Sequence, residues 1–260
     1  MEVAPGIHRI EAPLGERFVA MYLLVGDECA LLLDTGMDKM PDEYVAPYLA
    51  QIGVPASKIR YVINSHADFD HTAGNASAKA LAPNAIFMCH RLDQAMVEDI
   101  ERMISDRYGE FAVDHGIDET DESKQFIRDS SRHVPIDIAL SGGERIRLGA
   151  DWTVEVLHTP GHSRGHLTIH DPRSATLIIC DATLWNAVLF KNGKPVSDFD
   201  TLVLTDKEIT SYISCLIGIS KAEVIEKGRP LENVIDDFLK FIENRPLVAH
   251  NSNFDVNFVN

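Results

Sequence analysis

Short apolar runs that end in polar side chains recur along most of the chain. Runs of about four to eight aliphatic and β-branched residues predict buried strands, whereas apolar residues at helical spacing predict amphipathic helices. Strands are predicted at residues 18–26, 29–36, 59–65, 84–90, 152–159, 166–171 and 175–182, and helices at 42–52, 72–82, 91–108 and 119–132. Because strands, loops and helices alternate, this part of the chain is predicted to adopt an α/β layered fold.

The pattern changes near residue 188. Two strand-like runs flank Asn192-Gly193, a dipeptide that favours a tight turn, and predict a hairpin. A short helix, an amphipathic helix over 231–243 and the strand PLVAH are predicted to follow. We therefore predict one domain over residues 1–187 and a second segment over 188–260.

Composition and charge narrow the classes of function. The 260 residues are 45% hydrophobic, enough for a substantial core. A formal charge of −16, from 40 acidic and 24 basic residues, disfavours broad binding to nucleic acid or an anionic membrane. The N-terminus lacks the basic start and apolar run of a secretory signal, and no apolar run approaches membrane-spanning length. These features predict a cytoplasmic protein that does not bind a membrane and is not expected to bind nucleic acid.

The four cysteines predict no redox or metal function. Cys29, Cys89, Cys180 and Cys215 are far apart, and each lies in an apolar context. Such residues are typical of small buried side chains rather than of disulfides or a CxxC metal site.

Polar side chains with metal-binding chemistry follow three of the predicted strands. The segment SHADFDHTAGN, residues 65–75, places two histidines and two aspartates within six positions, and TPGHSRGH and LIICDA add one group each. The six candidates are His66, Asp68, Asp70, His71, His162 and Asp181. Reacting groups gather at strand ends in α/β sheets, and imidazoles and carboxylates bind divalent transition metals. Six such groups suffice for two ions, which could activate water.

A plainer interpretation is that these groups belong to solvated turns. A single HxD pair is usually a polar loop, and a lone histidine such as His162 more often makes a hydrogen bond than binds a metal. The joint placement of six groups at strand ends favours the metal site. His166 is expected either to support that site or simply to begin a strand, and Asp34 to order the loop through hydrogen bonds.

Four motifs in this order, LLLDTG, SHADFDHTAGN, TPGHSRGH and IICDA, resemble the metallo-β-lactamase-fold hydrolase superfamily. The resemblance covers roughly residues 5–187 and implies a four-layer αββα sandwich with the metal site at one edge. It implies that one metal is held by His66, Asp68 and His162, the second by Asp70 and His71, and that Asp181 bridges them. Asp70 is then the group that orients the attacking water or accepts its proton.

The same resemblance suggests a substrate class. TPGHSRGH is similar to glyoxalase II-like thioesterases and lactonases, so an ester, thioester or lactone is preferred to a phosphodiester. The helical stretch 91–132 is expected to overhang the site.

One position departs from the family pattern. The usual motif HxHxDH is HxDxDH here, because Asp68 replaces the second histidine. A hard oxygen donor shifts preference toward iron or manganese, although zinc stays the favoured metal. The motif also resembles the HxExDH of flavodiiron proteins, which implies an alternative function, a diiron oxidoreductase that reduces O₂ or NO. The sequence contains no glycine-rich flavin loop, so that alternative needs a separate electron donor.

The last segment resembles the middle of a DEDD-type 3′–5′ exonuclease of the DNA polymerase proofreading type. FDTLV, LIGIS and LVAHNSNFDVNFV carry the resemblance, which implies that Asp255 binds a catalytic metal. The family's DxE strand is absent, because ICDATLWNAV occupies its place, and its last motif would lie beyond Asn260. Nuclease activity of this segment alone is therefore not expected, and a non-catalytic fusion is a further alternative.

The junction bears on the first site. Complete metallo-β-lactamase-fold enzymes supply one more histidine after a late strand, and His250 at the end of PLVAH is the candidate. If it does not reach the second metal, we expect either that water fills that position or that the second metal binds weakly. The unpaired sheet edge of an incomplete exonuclease segment also predicts a homodimer.

Overall fold

The computed structural model describes residues 1–15, 17–110, 112–116, 118–181, 187–191, 194–199, 201–204 and 220–242. The chain divides into two compact units, the first formed mainly by Met1–Ala182 and the second beginning at Thr183. His250, Asp255 and the predicted strand PLVAH lie outside the described residues, as does Cys215. No helix among the described residues has the length and apolar character needed to cross a membrane.

A seven-stranded sheet forms the centre of the first unit. Its strands lie in sequence order, with β1 to β4 antiparallel and β4 to β7 parallel. They are β1 (Glu2–Ala4), β2 (Ile7–Leu14), β3 (Arg17–Val25), β4 (Ala30–Leu33), β5 (Ile59–Ile63), β6 (Ile86–His90) and β7 (Ile138–Leu140). Parallel neighbours place their carboxyl ends at the same edge, where the polar motifs begin.

A second, antiparallel sheet packs on the first. It is ordered β11-β10-β9-β8 and consists of β8 (Arg145–Gly149), β9 (Trp152–His158), β10 (Leu167–Asp171) and β11 (Thr176–Ile178). Leu31 and Leu33 of the first sheet share one buried cluster with Val154, Val156 and Ile169 of the second. Burial of these facing apolar surfaces is the main term that stabilises such a sandwich.

Helices cover the other face of the seven-stranded sheet. Leu49 of α1 (Ala46–Gln51) is buried in a second cluster with Leu32 and Phe87, whose side chains point away from the first cluster. The remaining helices of this unit are α2 (Phe69–Thr72), α3 (Asn75–Leu81), α4 (Gln94–Glu98), α5 (Ile100–Met103), α6 (Ala112–His115) and α7 (Asp121–Ser130). These layers agree with the predicted αββα sandwich.

Two predicted helices are interrupted, and both corrections affect the site. The helix predicted over 91–108 is interrupted at Asp99, where the backbone is extended. Asp99 is the N-cap of the next helix, and its side chain accepts hydrogen bonds from the backbone N–H groups of Glu101 and Arg102. The chain then widens into π-helical turns over Ile104–Tyr108. The helix predicted over 72–82 is two short helices that meet at Gly74, where a Cβ would lie 2.3 Å from the carbonyl oxygen of Thr35 in the loop after β4.

The second unit contains the predicted hairpin, β12 (Ala187–Lys191) and β13 (Lys194–Phe199), on either side of Asn192-Gly193. Helix α8 (Lys221–Lys227) begins with a capping box between Ser220 and Glu223. Helix α9 (Leu231–Ile242) agrees with the helix predicted over 231–243, whose last residue lies outside the described residues. It packs Phe238 and Phe241 against Phe199, at ring-centroid distances of 5.5 and 5.6 Å.

Candidate metal centre

The site begins where the parallel strands β4 and β5 end side by side. Leu33 pairs with Ile63, so Asp34 and the loop that starts at Asn64 leave the sheet at the same level. Asp34 has a positive φ of 63°, a conformation that aspartate tolerates better than most residues. This turn directs its carboxylate back toward the loop of the HxDxDH motif.

Asp34 is fully buried and fixes that loop. Its carboxylate accepts hydrogen bonds from the Ser65 backbone N–H at 2.6 Å, the Ser65 hydroxyl at 2.7 Å and His71 Nδ1 at 2.9 Å. Burial by itself would raise the pKa of Asp34, but the charge and hydrogen bond of His71 outweigh it and lower that pKa. The expectation that Asp34 orders the loop through hydrogen bonds is confirmed.

A buried amide network holds the far side of the loop. Asn64 and Asn75 exchange hydrogen bonds at 3.0 and 2.9 Å through their side chains, and the Thr35 hydroxyl donates to Asn75 at 2.9 Å. Asn64 and Thr35 also donate to the backbone carbonyl of His71. Because these buried groups satisfy one another, the loop has one well-defined conformation.

Two imidazoles are oriented from behind. The Ser65 hydroxyl lies 2.8 Å from His66 Nδ1, and Asp34 holds His71 Nδ1, so each ring presents Nε2 on its other side. The two ring centroids are 4.1 Å apart. His66 Nε2 is buried and makes no hydrogen bond to any described residue. An anchored Nδ1 with an inward Nε2 is the usual arrangement of a metal-binding histidine.

His162 and Asp181 reach the same place from the second sheet. His162, in the loop after β9, places Nε2 2.9 Å from Asp68 Oδ2 and 3.6 Å from Asp181 Oδ2. The strand predicted over 175–182 ends earlier, at Ile178, because Cys180 adopts a positive φ of 44°. This turn precedes Asp181 directly.

Five of the six predicted residues come together as two overlapping groups of donor atoms. His66, Asp68 and His162 form one group and His66, His71 and Asp181 the other, with the donor atoms of each group within 4.8 Å of one another. Asp181 faces both imidazoles, since Oδ2 lies 4.0 Å from His66 Nε2 and Oδ1 3.8 Å from His71 Nε2. Nitrogen and carboxylate donors in such groups fit divalent transition metals.

Asp70 lies at the outer side of the second group. Its Oδ2 is 3.8 Å from His71 Nε2, and its side chain is 26% exposed whereas that of His71 is fully buried. Asp70 therefore reaches both the donor atoms and the solvent.

Charges around the site oppose the effect of burial. Burial would raise the pKa of Asp68, but His66, His162 and Arg107 outweigh it and hold that pKa well below its usual range. Burial would lower the pKa of His71, but the carboxylates of Asp34, Asp70 and Asp181 outweigh it and raise that pKa well above 6.5. Because a metal ligand must be deprotonated, metal binding at His71 would release a proton.

Two residues that contact the site belong to none of the sequence motifs. Arg107 donates to Asp68 through Nε at 2.5 Å and Nη2 at 3.0 Å, and Nη2 also lies 3.3 Å from His162 Nε2. The Tyr108 hydroxyl accepts a hydrogen bond from the Phe69 backbone N–H at 3.1 Å. Both residues lie in the stretch expected to overhang the site, which was the only signal for them.

His166 supports the site without joining either donor group. Its ring stacks on His66 at 5.1 Å, and its Nδ1 lies 3.0 Å from the Thr159 hydroxyl. Burial, and then the nearby His66 and His162, lower the pKa of His166 to about 3. The imidazole is therefore neutral at neutral pH.

This pKa predicts an acid-dependent loss of stability. An unfolded chain protonates His166 near pH 6.5 but the folded chain only near pH 3, so the free energy of unfolding of the metal-free protein should fall as pH drops between those values. In His166→Asn, whose amide can still reach Thr159, the fall should be less steep. Urea denaturation between pH 4 and pH 7 measures both slopes, and equal slopes would show that His166 is not the group responsible.

The comparisons with known proteins identify the family of the chain. A family model described as "Metallo-beta-lactamase superfamily" matches residues 14–208, and one described as "Exonuclease" matches residues 185–260. Since the first match covers most of the chain, the protein belongs to the metallo-β-lactamase superfamily.

Solved structures confirm the fold. The crystal structure of a metallo-β-lactamase family protein from Thermus thermophilus is 22% identical with a TM-score of 0.58, covering 69% of this chain and 60% of that one. A mutant metallo-β-lactamase from Legionella gormanii is 18% identical with a TM-score of 0.54, and the match covers 97% of this chain and 79% of that chain.

The curated relatives match a short stretch of exonuclease sequence. The PolC-type DNA polymerase III of Thermotoga petrophila is 40% identical over 73 residues, which is 28% of this chain and 5% of the polymerase. DNA polymerase III subunit epsilon of Treponema pallidum is 38% identical over 74 residues, which is 28% of this chain and 34% of that subunit. The chain thus spans a small part of these relatives.

Proposed function

We propose that the protein is a metal-dependent hydrolase that cleaves a small ester, thioester or lactone with two divalent ions, zinc being the favoured metal. The observation that carries the proposal is the orientation of His66 and His71, whose Nδ1 atoms are anchored behind while Nε2 faces a cluster of carboxylates. A structural histidine pair needs no such convergence of acidic groups.

The proposed ligand roles count His66 in the first donor group only and add Asp70 to the second. His66, Asp68 and His162 would hold one ion, Asp70 and His71 the other, and Asp181 would lie between them. Divalent ions bound there supply Lewis acidity, which polarises a carbonyl and lowers the pKa of water toward neutrality.

The protein's own groups position and move protons. Asp34 and Ser65 hold the two imidazoles in one tautomer, because the carboxylate of Asp34 can only accept the hydrogen at His71 Nδ1. Asp70 lies near the donor atoms and is partly exposed to solvent, and in the proposed reaction it would accept a proton from the attacking water and return it to the leaving group.

The role of Asp70 can be tested by Asp70→Asn, which keeps the shape of the side chain and removes its basicity. With zinc-loaded protein and p-nitrophenyl acetate, an acyl thioester and an acyl-homoserine lactone as probes, kcat should fall by about 10²–10⁴-fold. Asp106→Asn is the matched control, because Asp106 is an exposed carboxylate paired with Arg102. Full activity in Asp70→Asn would contradict the assigned role.

A redox function is the second candidate, favoured by the carboxylate of Asp68 in the first donor group. Protein loaded anaerobically with Fe²⁺ would then consume O₂ or NO when a reductant is supplied. We expect hydrolysis instead. If the protein consumes O₂ or NO rapidly in the presence of a reductant and does not turn over an ester or lactone, the redox function would be the better supported of the two.

The exonuclease resemblance does not lead us to propose nuclease activity. The strand position that carries the DxE motif in that family is occupied here by ICDATLWNAV, which removes carboxylates needed for two-metal cleavage. We expect the chain to leave single-stranded DNA intact with Mg²⁺ or Mn²⁺. Degradation that disappears in Asp255→Ala would contradict this expectation.

A further inference from the structure

We propose that Asp68 and Arg107 work as one unit in which the ion pair replaces the neutral second histidine of the usual motif. Asp68 contributes the ligand oxygen, and Arg107 is a positioning residue that holds this oxygen and cancels its charge. The inference rests on the proposed function, since it concerns the first group of metal donors.

The carboxylate of Asp68 contacts both the guanidinium of Arg107 and the imidazole of His162. Arg107 Nε donates to Asp68 Oδ1 at 2.5 Å, while Oδ2 faces His162 Nε2 at 2.9 Å and His66 Nε2 at 3.5 Å. Arg107 also contacts Oδ2 through Nη2 at 3.0 Å, so the guanidinium grips both oxygens. This forked contact fixes the rotation of the carboxylate, which a point charge such as lysine cannot do as well.

The charge balance explains why an arginine lies here. Exchange of an imidazole for a carboxylate adds one negative charge to a mostly buried site, where charges interact strongly. The side chains of Asp68 and Arg107 are only 13% and 20% exposed. Glu110 approaches the opposite side of Arg107 at 4.0 Å, and Tyr108 follows it in the chain. The pair restores the net charge that a histidine would give.

The chain is shaped to present this arginine. Helix α4 ends before Asp99, and the π-helical turns Ile104–Tyr108 follow the short helix that Asp99 caps. Such turns often occur at functional sites. Tyr108 binds the backbone N–H of Phe69, the residue after Asp68, so two consecutive residues fasten this segment to the metal loop.

The test measures zinc binding to metal-free full-length protein by competition with a chromophoric chelator. Asp68→His restores the family's histidine, yet it leaves the Arg107 cation beside the donor atoms without its carboxylate. We expect zinc affinity to fall at least about tenfold in this variant and to recover in Asp68→His/Arg107→Gln. Asp68→His/Arg107→Lys keeps the cation and should stay weak. If Arg107 contributed only through packing, the double variants with glutamine and with lysine at position 107 would bind zinc with the same affinity.

Arg128→Gln is the matched control, because Arg128 forms the same forked contact with Glu101 on the surface, at 2.7 and 2.9 Å. It should leave zinc affinity unchanged. Equal zinc affinity in Asp68→His and Asp68→His/Arg107→Gln, with the wild type binding zinc normally, would overturn the inference and leave the proposed function intact. A folded wild-type protein that binds none of Zn²⁺, Fe²⁺ and Mn²⁺ would overturn both.

Discussion

His66→Ala should lower the metal content below two ions per chain and abolish hydrolysis. His66 is the residue that the two groups share, and its Nε2 faces Asp68 at 3.5 Å and Asp181 at 4.0 Å. Bound divalent ions contribute several kcal/mol of transition-state stabilisation, so kcat/KM should fall by about 10³-fold or more. Elemental analysis of the purified variant and ester or lactone turnover measure the two effects.

The control for this change is His133→Ala. His133 is exposed and lies outside both donor groups, so metal content and activity should match the wild type. Retention of two ions per chain in His66→Ala would contradict the assignment of His66 as a metal ligand, whatever the activity of the variant.

Among substitutions at the site, Asp34→Ala should lower the free energy of unfolding the most. The change leaves the Ser65 N–H and the His71 ring without their buried acceptor, and such unpaired groups cost about 3–5 kcal/mol together. Urea denaturation of the metal-free protein at pH 7, where the carboxylate is ionised, measures the free energy of unfolding.

A second variant separates the hydrogen bonds from the backbone conformation. Alanine is also disfavoured at a φ of 63°, whereas Asp34→Gly accepts that conformation and still lacks the carboxylate. We expect Asp34→Gly to lose most of the same stability. Wild-type stability in Asp34→Gly would show that backbone strain, and not the hydrogen bonds of Asp34, accounts for the effect.

The elements predicted most accurately are the apolar strands that end in a polar motif. The strands that end in DTG and SHADFDH are strongly apolar, and their polar ends carry recognisable motifs. The strands β1 and β7 were not predicted, because each has only three residues, and two of the three in β7 are exposed. Strand β2 was not predicted either, although its alternation of buried and exposed residues is the pattern typical of a strand.

The remaining features depend on tertiary contacts. Asp99 interrupts a regular helical pattern and caps the next helix with its side chain. Gly74 lies at the break in another pattern, where only a glycine fits against the carbonyl oxygen of Thr35, 39 residues earlier in the chain. Arg107 is 39 residues from Asp68 and has no motif around it. A charged residue in an amphipathic stretch is usually solvated, so its contact with the metal loop could be identified only from the folded chain.

The metal content of the purified wild-type protein tests the central claim most directly. Elemental analysis of protein that is well folded by circular dichroism should find close to two divalent ions per chain, lost together with ester or lactone turnover on treatment with a chelator and regained with zinc. A folded protein that contains no metal, and takes up none from excess Zn²⁺, Fe²⁺ or Mn²⁺, would contradict the assignment of these six histidines and aspartates to a metal centre.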